Sequence, residues 1–483
     1  MVCNYIAEVG RYLLLYPQRI GGGIYFFMQR NYLALLDRWY SSPTRKPLIV
    51  RGARQVGKST LVRQFAESKG LTLFEVNCER YPALAEVAAS LDPQKILREV
   101  EFICNRGSIR AGEALLFIDE IQEQPKWLQC LRYFYELMPD LAVITAGSLL
   151  ELALAENTFP MPVGRVEYFY MGPVSWDEFL HAKGEAQLLD LMSGYSWGDD
   201  FPFSAHERLL GLLRDYLLIG GMPEAVQHYL DGGDFEAIFD IQYSIYQTYR
   251  DDFSKYAHGQ ALVRLQKIID YLGQGTGRKV KYVNIDRESQ SREIKQAVEL
   301  ILQAGLVLQA VHTHGAGVPL GAQSDPKASK LYSLDIGLYN RICNLRQLSE
   351  HEMKDARFIN EGVIAEQFIA QHLYFREAPK RKPDLYYWLR EGSARNAEVD
   401  FLVQVGQQVV PVEVKAGKSG TLKSLFQFAL EKRCQTACRF DLNVPSMQAV
   451  EQNLNGENVS FNLLSLPLYM CHEMERLLEV TQK

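Results

Sequence analysis

A chain of 483 residues exceeds what one ordinary hydrophobic core accommodates, so roughly two to four domains are expected. Hydrophobic residues at 47% and charged residues at 23%, with Gly and Pro near ordinary usage, exclude a disordered or fibrous chain. The balance of 52 basic and 58 acidic residues gives a net charge of −6, which excludes nucleic-acid binding through the field of the whole molecule and confines any such site to a local patch.

The eight cysteines (Cys3, Cys78, Cys104, Cys130, Cys343, Cys434, Cys438, Cys471) are scattered, without a CxxC pair or a neighbouring His cluster. That pattern argues against a disulfide framework and a zinc site and for a reducing, cytoplasmic setting. The first apolar run, 12–28, is interrupted by Pro17, Gln18, Arg19 and glycines, so it neither spans a membrane nor reads as a signal peptide. No membrane contact is expected. Residues 1–27 are read as a leader, with translation expected to start at Met28.

From there the pattern predicts a helix over 31–40, a buried strand over 47–50, a glycine loop, a helix over 58–68 and a strand over 72–77. Short apolar runs at 114–118 and 141–146 predict two more central strands. Strands alternating with helices imply a parallel sheet. The loop Gly52-Ala53-Arg54-Gln55-Val56-Gly57-Lys58-Ser59-Thr60 matches GxxxxGK[ST] between strand and helix, the context in which it binds nucleotide. Its glycines let backbone N–H groups face a phosphate, Lys58 reaches the β and γ oxygens, and Ser59 ligates Mg²⁺. Leu115-Leu116-Phe117-Ile118-Asp119-Glu120 ends in two carboxylates: Asp119 is expected to hold the magnesium and Glu120 to polarise the attacking water. Ser148, with Thr145 as second choice, is the expected γ-phosphate sensor. Arg165 is expected to offer positive charge in its own or a neighbouring subunit, with Arg54 and Arg132 as competitors.

Helical spacing continues through 174–256, broken by Gly220-Gly221-Met222-Pro223, a strong stop and restart. The order of helices and strands over 261–344 resembles a winged helix, with 313–329 as the wing. Residues 255–349 hold 13 Lys plus Arg against 7 Asp plus Glu, a local balance of +6. Arg278, Lys279, Lys281, Arg287, Arg292 and Lys295 lie at or before the candidate recognition helix, where they could meet the phosphates of double-stranded DNA. A solvated basic face, or a protein contact, explains them equally well.

Arg51 to Lys58, Ile118-Asp119-Glu120-Ile121-Gln122, Gly147-Ser148, Gly164-Arg165 and Gly220-Gly221-Met222-Pro223 together resemble the prokaryotic AAA-type ATPases that carry a C-terminal domain of unknown function related to restriction endonucleases. The resemblance implies an α/β architecture: a P-loop NTPase parallel sheet (28–172), a helical lid (173–255), a winged helix (256–350) and a C-terminal α/β nuclease-like domain (351–483). A nuclease core of the PD-(D/E)XK type needs an Asp on one strand and Glu-x-Lys on the next, because a period of two puts the outer pair of the tripeptide on one face. Asp400, then Glu413 and Lys415, supply that pattern. Asp400 and Glu413 could bind a second Mg²⁺, Lys415 could orient water, Glu366 could complete the acidic site, and Gln427 stands where such folds place a polar helper.

The expected function is Mg-ATP hydrolysis driving a switch that acts on DNA, with metal-dependent cleavage as an added activity. The alternative is a signalling or defence-type regulatory ATPase that binds a protein partner or forms a homo-oligomer and keeps an inactive nuclease-like domain. A nucleotide kinase is disfavoured, since no acceptor-site signature follows the P-loop.

Overall fold

The computed structural model describes residues 18–20, 23–25, 28–148, 150, 161–344, 362–376, 381–391, 396–415, 417, 422–454 and 456–481. The leader expected over 1–27 lies largely outside them, apart from the backbone of a short antiparallel pair, β1 (Gln18–Ile20) and β2 (Gly23–Tyr25). The chain divides into two compact units, one formed mainly by residues up to Pro173 and the other mainly by residues from Val174 onward. Among the described residues no helix is long and apolar enough to cross a membrane.

The first unit is a five-stranded parallel sheet built from β3 (Leu48–Arg51), β4 (Thr72–Asn77), β5 (Ala114–Asp119), β6 (Ala142–Ala146) and β7 (Glu167–Tyr170), in the order β4-β5-β6-β3-β7. Every residue of β5 and β6 is buried. Such unbroken apolar runs are what strands covered on both faces require. Phe74, Ile96, Leu116, Trp127 and Phe134 share one core. The helix Pro93–Cys104 starts where Asp92 accepts from the N–H groups of Gln94 and Lys95 and Pro93 takes the first helical position. Because all five strands run the same way, the C-terminal ends of β3, β5 and β6 lie at one edge of the sheet. The glycine loop, Asp119-Glu120 and Gly147-Ser148 all emerge there.

The second unit joins a set of helices to an eight-stranded mixed sheet. Its strands are β8 (Val307–Thr313), β9 (Ser324–Ser333), β10 (Tyr386–Arg390), β11 (Ala397–Val405), β12 (Gln408–Val414), β13 (Thr436–Asp441), β14 (Ser446–Leu454) and β15 (Glu457–Pro467), in the order β14-β15-β13-β12-β11-β10-β8-β9. The helices Gln260–Gly275, Tyr282–Ile285 and Ser291–Gln303 precede β8 in the order expected of a winged helix. The hairpin that should carry the wing, however, does not stand apart. β8 pairs in parallel with β10, Val311 opposite Tyr386 and Tyr387 opposite His312. The free backbone groups of β8 are satisfied by the C-terminal sheet, so the division expected at 350 is crossed by a ladder.

Gly220-Gly221-Met222-Pro223 has a structural role within this unit. Gly220 ends the helix Phe203–Ile219 at φ +72, and a Cβ there would stand 2.3 Å from Asp335 Oδ1. Gly221 N–H donates to Asp335 Oδ2 at 2.6 Å. The last carbonyls of the helix are taken by side chains: Asn340 Nδ2 donates to Leu217 O, and Gln242 Nε2 donates to Leu218 O and Ile219 O.

Candidate functional site

The glycine loop runs from the end of β3 into the helix Lys58–Ser68. Gly52 at φ +147, Gln55 at φ +62 and Gly57 at φ +93 turn the backbone through conformations that favour glycine. A Cβ on Gly52 would meet Met171 O at 2.2 Å, so no larger residue fits. Lys58 is buried, and its ammonium donates to Gly52 O at 2.9 Å and Ala53 O at 2.7 Å, folding over the loop as a counter-charge for phosphate. Burial lowers its pKa to about 8 against the attraction of Glu120 and Asp119.

Ser59 Oγ donates to Asp119 Oδ2 at 2.8 Å, joining the two side chains expected to hold Mg²⁺. Burial raises the Asp119 pKa, and the Ser59 hydrogen bond opposes the rise. Ser148 Oγ donates to Glu120 Oε2 at 3.2 Å, and Gln122 Nε2 donates to the same oxygen at 2.6 Å. Two donors thus fix one oxygen of Glu120. Gly147 leaves room for this, since a Cβ there would stand 2.4 Å from Gln122 Oε1. Thr145 is fully buried and its hydroxyl has no partner.

Arg165 is not part of this group. It precedes β7, whose register sets Glu167 opposite Leu48, and therefore lies at the N-terminal edge of the sheet, across from the glycine loop. There its Nε pairs with Glu136 at 3.1 Å, as does that of Arg132 at 3.0 Å. Strand direction thus sets Arg165 at the opposite edge from its own P-loop. Two positioning residues had no role assigned from sequence: Gln122 and Arg30. Arg30, nearly fully buried, donates to Val56 O in the loop at 2.9 Å, to Gly172 O at 2.8 Å and to Pro173 O at 3.0 Å. A lone Arg before a helix carries no sequence signal.

In the second unit, β11 and β12 pair with Phe401 opposite Val412, which sets Asp400 beside Glu413 one residue further on. Asp400 Oδ2 accepts Val414 N–H at 2.8 Å, Lys415 pairs with Glu413 Oε1, and Glu413 Oε2 is buried without a partner. Burial pushes Glu413 upward, with Asp400 adding to the shift. Glu366, on the helix Gly362–Phe375, accepts instead from Tyr332 Oη at 2.7 Å and Lys330 Nζ at 3.2 Å, both from β9. Burial also raises Glu366. The oxygens of Glu366, Asp400 and Glu413 do not all lie within 4.8 Å of one another. Glu366 therefore does not close a three-carboxylate site with them. Gln427 donates to Glu431 at 2.9 Å.

Among the described residues the group of three donors that does meet within 4.8 Å is His372, Cys471 and His472. It is closed to a metal. His372 Nε2 accepts Trp176 N–H at 3.0 Å, which leaves Nδ1 to carry the proton donated to Phe368 O at 2.8 Å. A cleft of about 580 Å³ in the same unit is lined by Arg278, Lys279, Lys281 and Arg287 among others. Lys279 pairs with Glu391 at 2.7 Å.

Residues 44–180 match a family model described as an AAA domain. The matched stretch takes in the glycine loop, Asp119-Glu120 and Ser148. Residues 210–349 and 361–460 match two further models described as domains of unknown function, DUF8612 and DUF4143. No curated protein matches the chain. Solved structures similar to it include the Aeropyrum pernix ORC2 protein in its ADP form, at 13% identity over 71% of this chain and 98% of that one, with a TM-score of 0.31. The Thermotoga maritima RuvB Holliday junction branch migration motor is similar at 15% identity over 62% and 89%, TM-score 0.28. The FIGL-1 AAA domain is similar at 16% identity over 38% of this chain and 59% of that one, TM-score 0.22. Superpositions this loose carry no argument about activity, so the AAA assignment rests on the family model and the loop geometry.

Proposed function

We propose that the AAA domain binds and hydrolyses Mg-ATP, and that its nucleotide state switches a second unit that acts on DNA. The observation that carries the ATPase reading is the linked set Ser59–Asp119 and Glu120–Gln122–Ser148 at the edge where the P-loop opens. Loop N–H groups and Lys58 hold the phosphates, and Ser59 and Asp119 hold the magnesium. When bound, the ion neutralises phosphoryl charge. Gln122 and Ser148 fix Glu120 Oε2, leaving Oε1 to take the proton of the attacking water.

For the second unit, the unpartnered Glu413 Oε2 beside Asp400 supports a divalent-ion site with Lys415 as the water-orienting group. The cations of the cleft support binding of duplex phosphates. A second reading, a regulatory ATPase with a protein partner and no cleavage, is favoured by Lys330, whose ammonium already neutralises much of the carboxylate charge.

Purified protein with Mg-ATP and labelled duplex DNA, beside Glu120→Gln, tests the reading. Glu120→Gln should retain nucleotide binding and lose turnover by about 10²-fold or more; normal turnover would remove Glu120 from its role. Affinity for duplex should fall steeply with salt, and no detectable binding at low salt would leave the protein-partner reading.

A further inference from the structure

The carboxylate cluster of the second unit contains a cation supplied by the chain. Lys330 has no exposed surface, and its ammonium stands 2.5 Å from Glu398 Oε1, 3.2 Å from Glu366 Oε1 and 4.0 Å from Asp400 Oδ1. Its cross-strand neighbour in β8 is Ala310, whose small side chain lets the lysine lie across the sheet toward β10. There its ammonium is 5.2 Å from the centre of the Tyr387 ring. Three carboxylates thus surround this one ammonium.

Lys330 takes up only part of this acidic group. Glu366 Oε1 is taken by both Lys330 and Tyr332, and Gly277 covers this carboxylate so closely that a Cβ would stand 2.9 Å from either oxygen. On the other side, Glu413 keeps a buried oxygen without a partner next to Asp400. A buried open acceptor lies there, whereas Lys330 and Tyr332 occupy Glu366 Oε1.

We propose that Lys330 fills one of two cation positions in this cluster, so that the site takes a single divalent ion, held by Asp400 and Glu413, and is closed to a second ion at Glu366 and Glu398. An ammonium neutralises charge and donates hydrogen bonds, but it cannot activate a bound water as a Lewis acid does. Lys330 is thus a specificity-determining residue for metal number. The inference rests on the divalent-ion reading of Asp400 and Glu413.

Mn²⁺ bound per chain, counted by loss of the free-ion electron paramagnetic resonance signal without nucleotide and with the P-loop site silenced by Asp119→Asn, tests it. One ion is expected with Lys330 present, two with Lys330→Met and one with Lys330→Arg. Two ions with Lys330 in place overturn the proposal. One ion in both the Lys330 and Lys330→Met proteins, the latter with native circular dichroism, overturns the role of Lys330 but leaves the metal reading standing. No ion in either overturns both. If Lys330→Met does not fold, the Lys330 protein decides: loss of its ion in Asp400→Asn but not in Glu366→Gln upholds the proposal, and loss in Glu366→Gln overturns it.

Discussion

At His372 the structure makes one side chain carry two backbone contacts, and the one from Trp176 depends on a neutral ring. Trp176 N–H needs an acceptor at Nε2 and Phe368 O needs a proton at Nδ1. Burial pushes the imidazole down to about 4 from an ordinary value of 6.5. An unfolded chain takes this proton first as pH falls below 6.5, so the stability tied to neutral His372 is full above that value and lost on the way down through pH 4. The loss is at most about 3 kcal/mol. The His372 ring resonance should therefore hold its neutral position from pH 7 to about 5 in a nuclear magnetic resonance titration; a midpoint near 6.5 would sink this reading. The residues legible in the sequence were those whose partners follow a local rule. Lys58 and Ser59 belong to one contiguous motif, and Asp119-Glu120 end one apolar run. Lys330 was not legible, because its partners Glu366, Glu398 and Asp400 come 36 to 70 residues later, the span from 330 to 366 and to 400. Tyr332 is buried and also donates to Glu366.

Among the elements, central strands were the easiest to read. β4, expected over 72–77, is Thr72–Asn77, and the buried runs of β5 and β6 match their expected spans to within a residue. β7 was missed: Glu-Tyr-Phe-Tyr at a sheet edge has one buried residue and no apolar run. The candidate winged helix shows a different limit, since helix order is local but the partner of an edge strand is not. Part of the basic set behind the local +6 balance is likewise held inside the unit. Lys330 and Arg341 are buried, while Arg264 pairs with Glu293 and Lys267 with Asp286. The helix stop at Gly220 was legible as punctuation, and its cause became visible only in Asp335. Gly220→Ala forces an L residue into φ +72 against a carboxylate at 2.3 Å, so it should cost about 2–4 kcal/mol in urea unfolding. Gly211→Ala, in the same helix with open space at its Cβ, should stabilise by about 0.5–1 kcal/mol. Equal effects of the two changes would refute the Asp335 explanation.

For the whole molecule, the sequence identified a P-loop ATPase followed by a mixed α/β portion, but not where the second sheet begins. That sheet draws β8 and β9, at one edge, from residues 307–333 and its other six strands from residues 386–467. Composition could not signal this, because β8 is as apolar as a strand of an independent hairpin. Arg165 carries a further consequence. Held at the far edge of its own sheet beside Glu136, it leaves the P-loop without this positive charge. If catalysis uses that arginine, the P-loop it serves belongs to another copy, and activity becomes a collective property. ATP turnover per chain should then rise with protein concentration, and Arg165→Ala chains mixed with active Arg165 chains should lower the rate by more than simple dilution. A specific rate independent of concentration, with Arg165→Ala fully active, would instead make this residue only the anchor of Glu136.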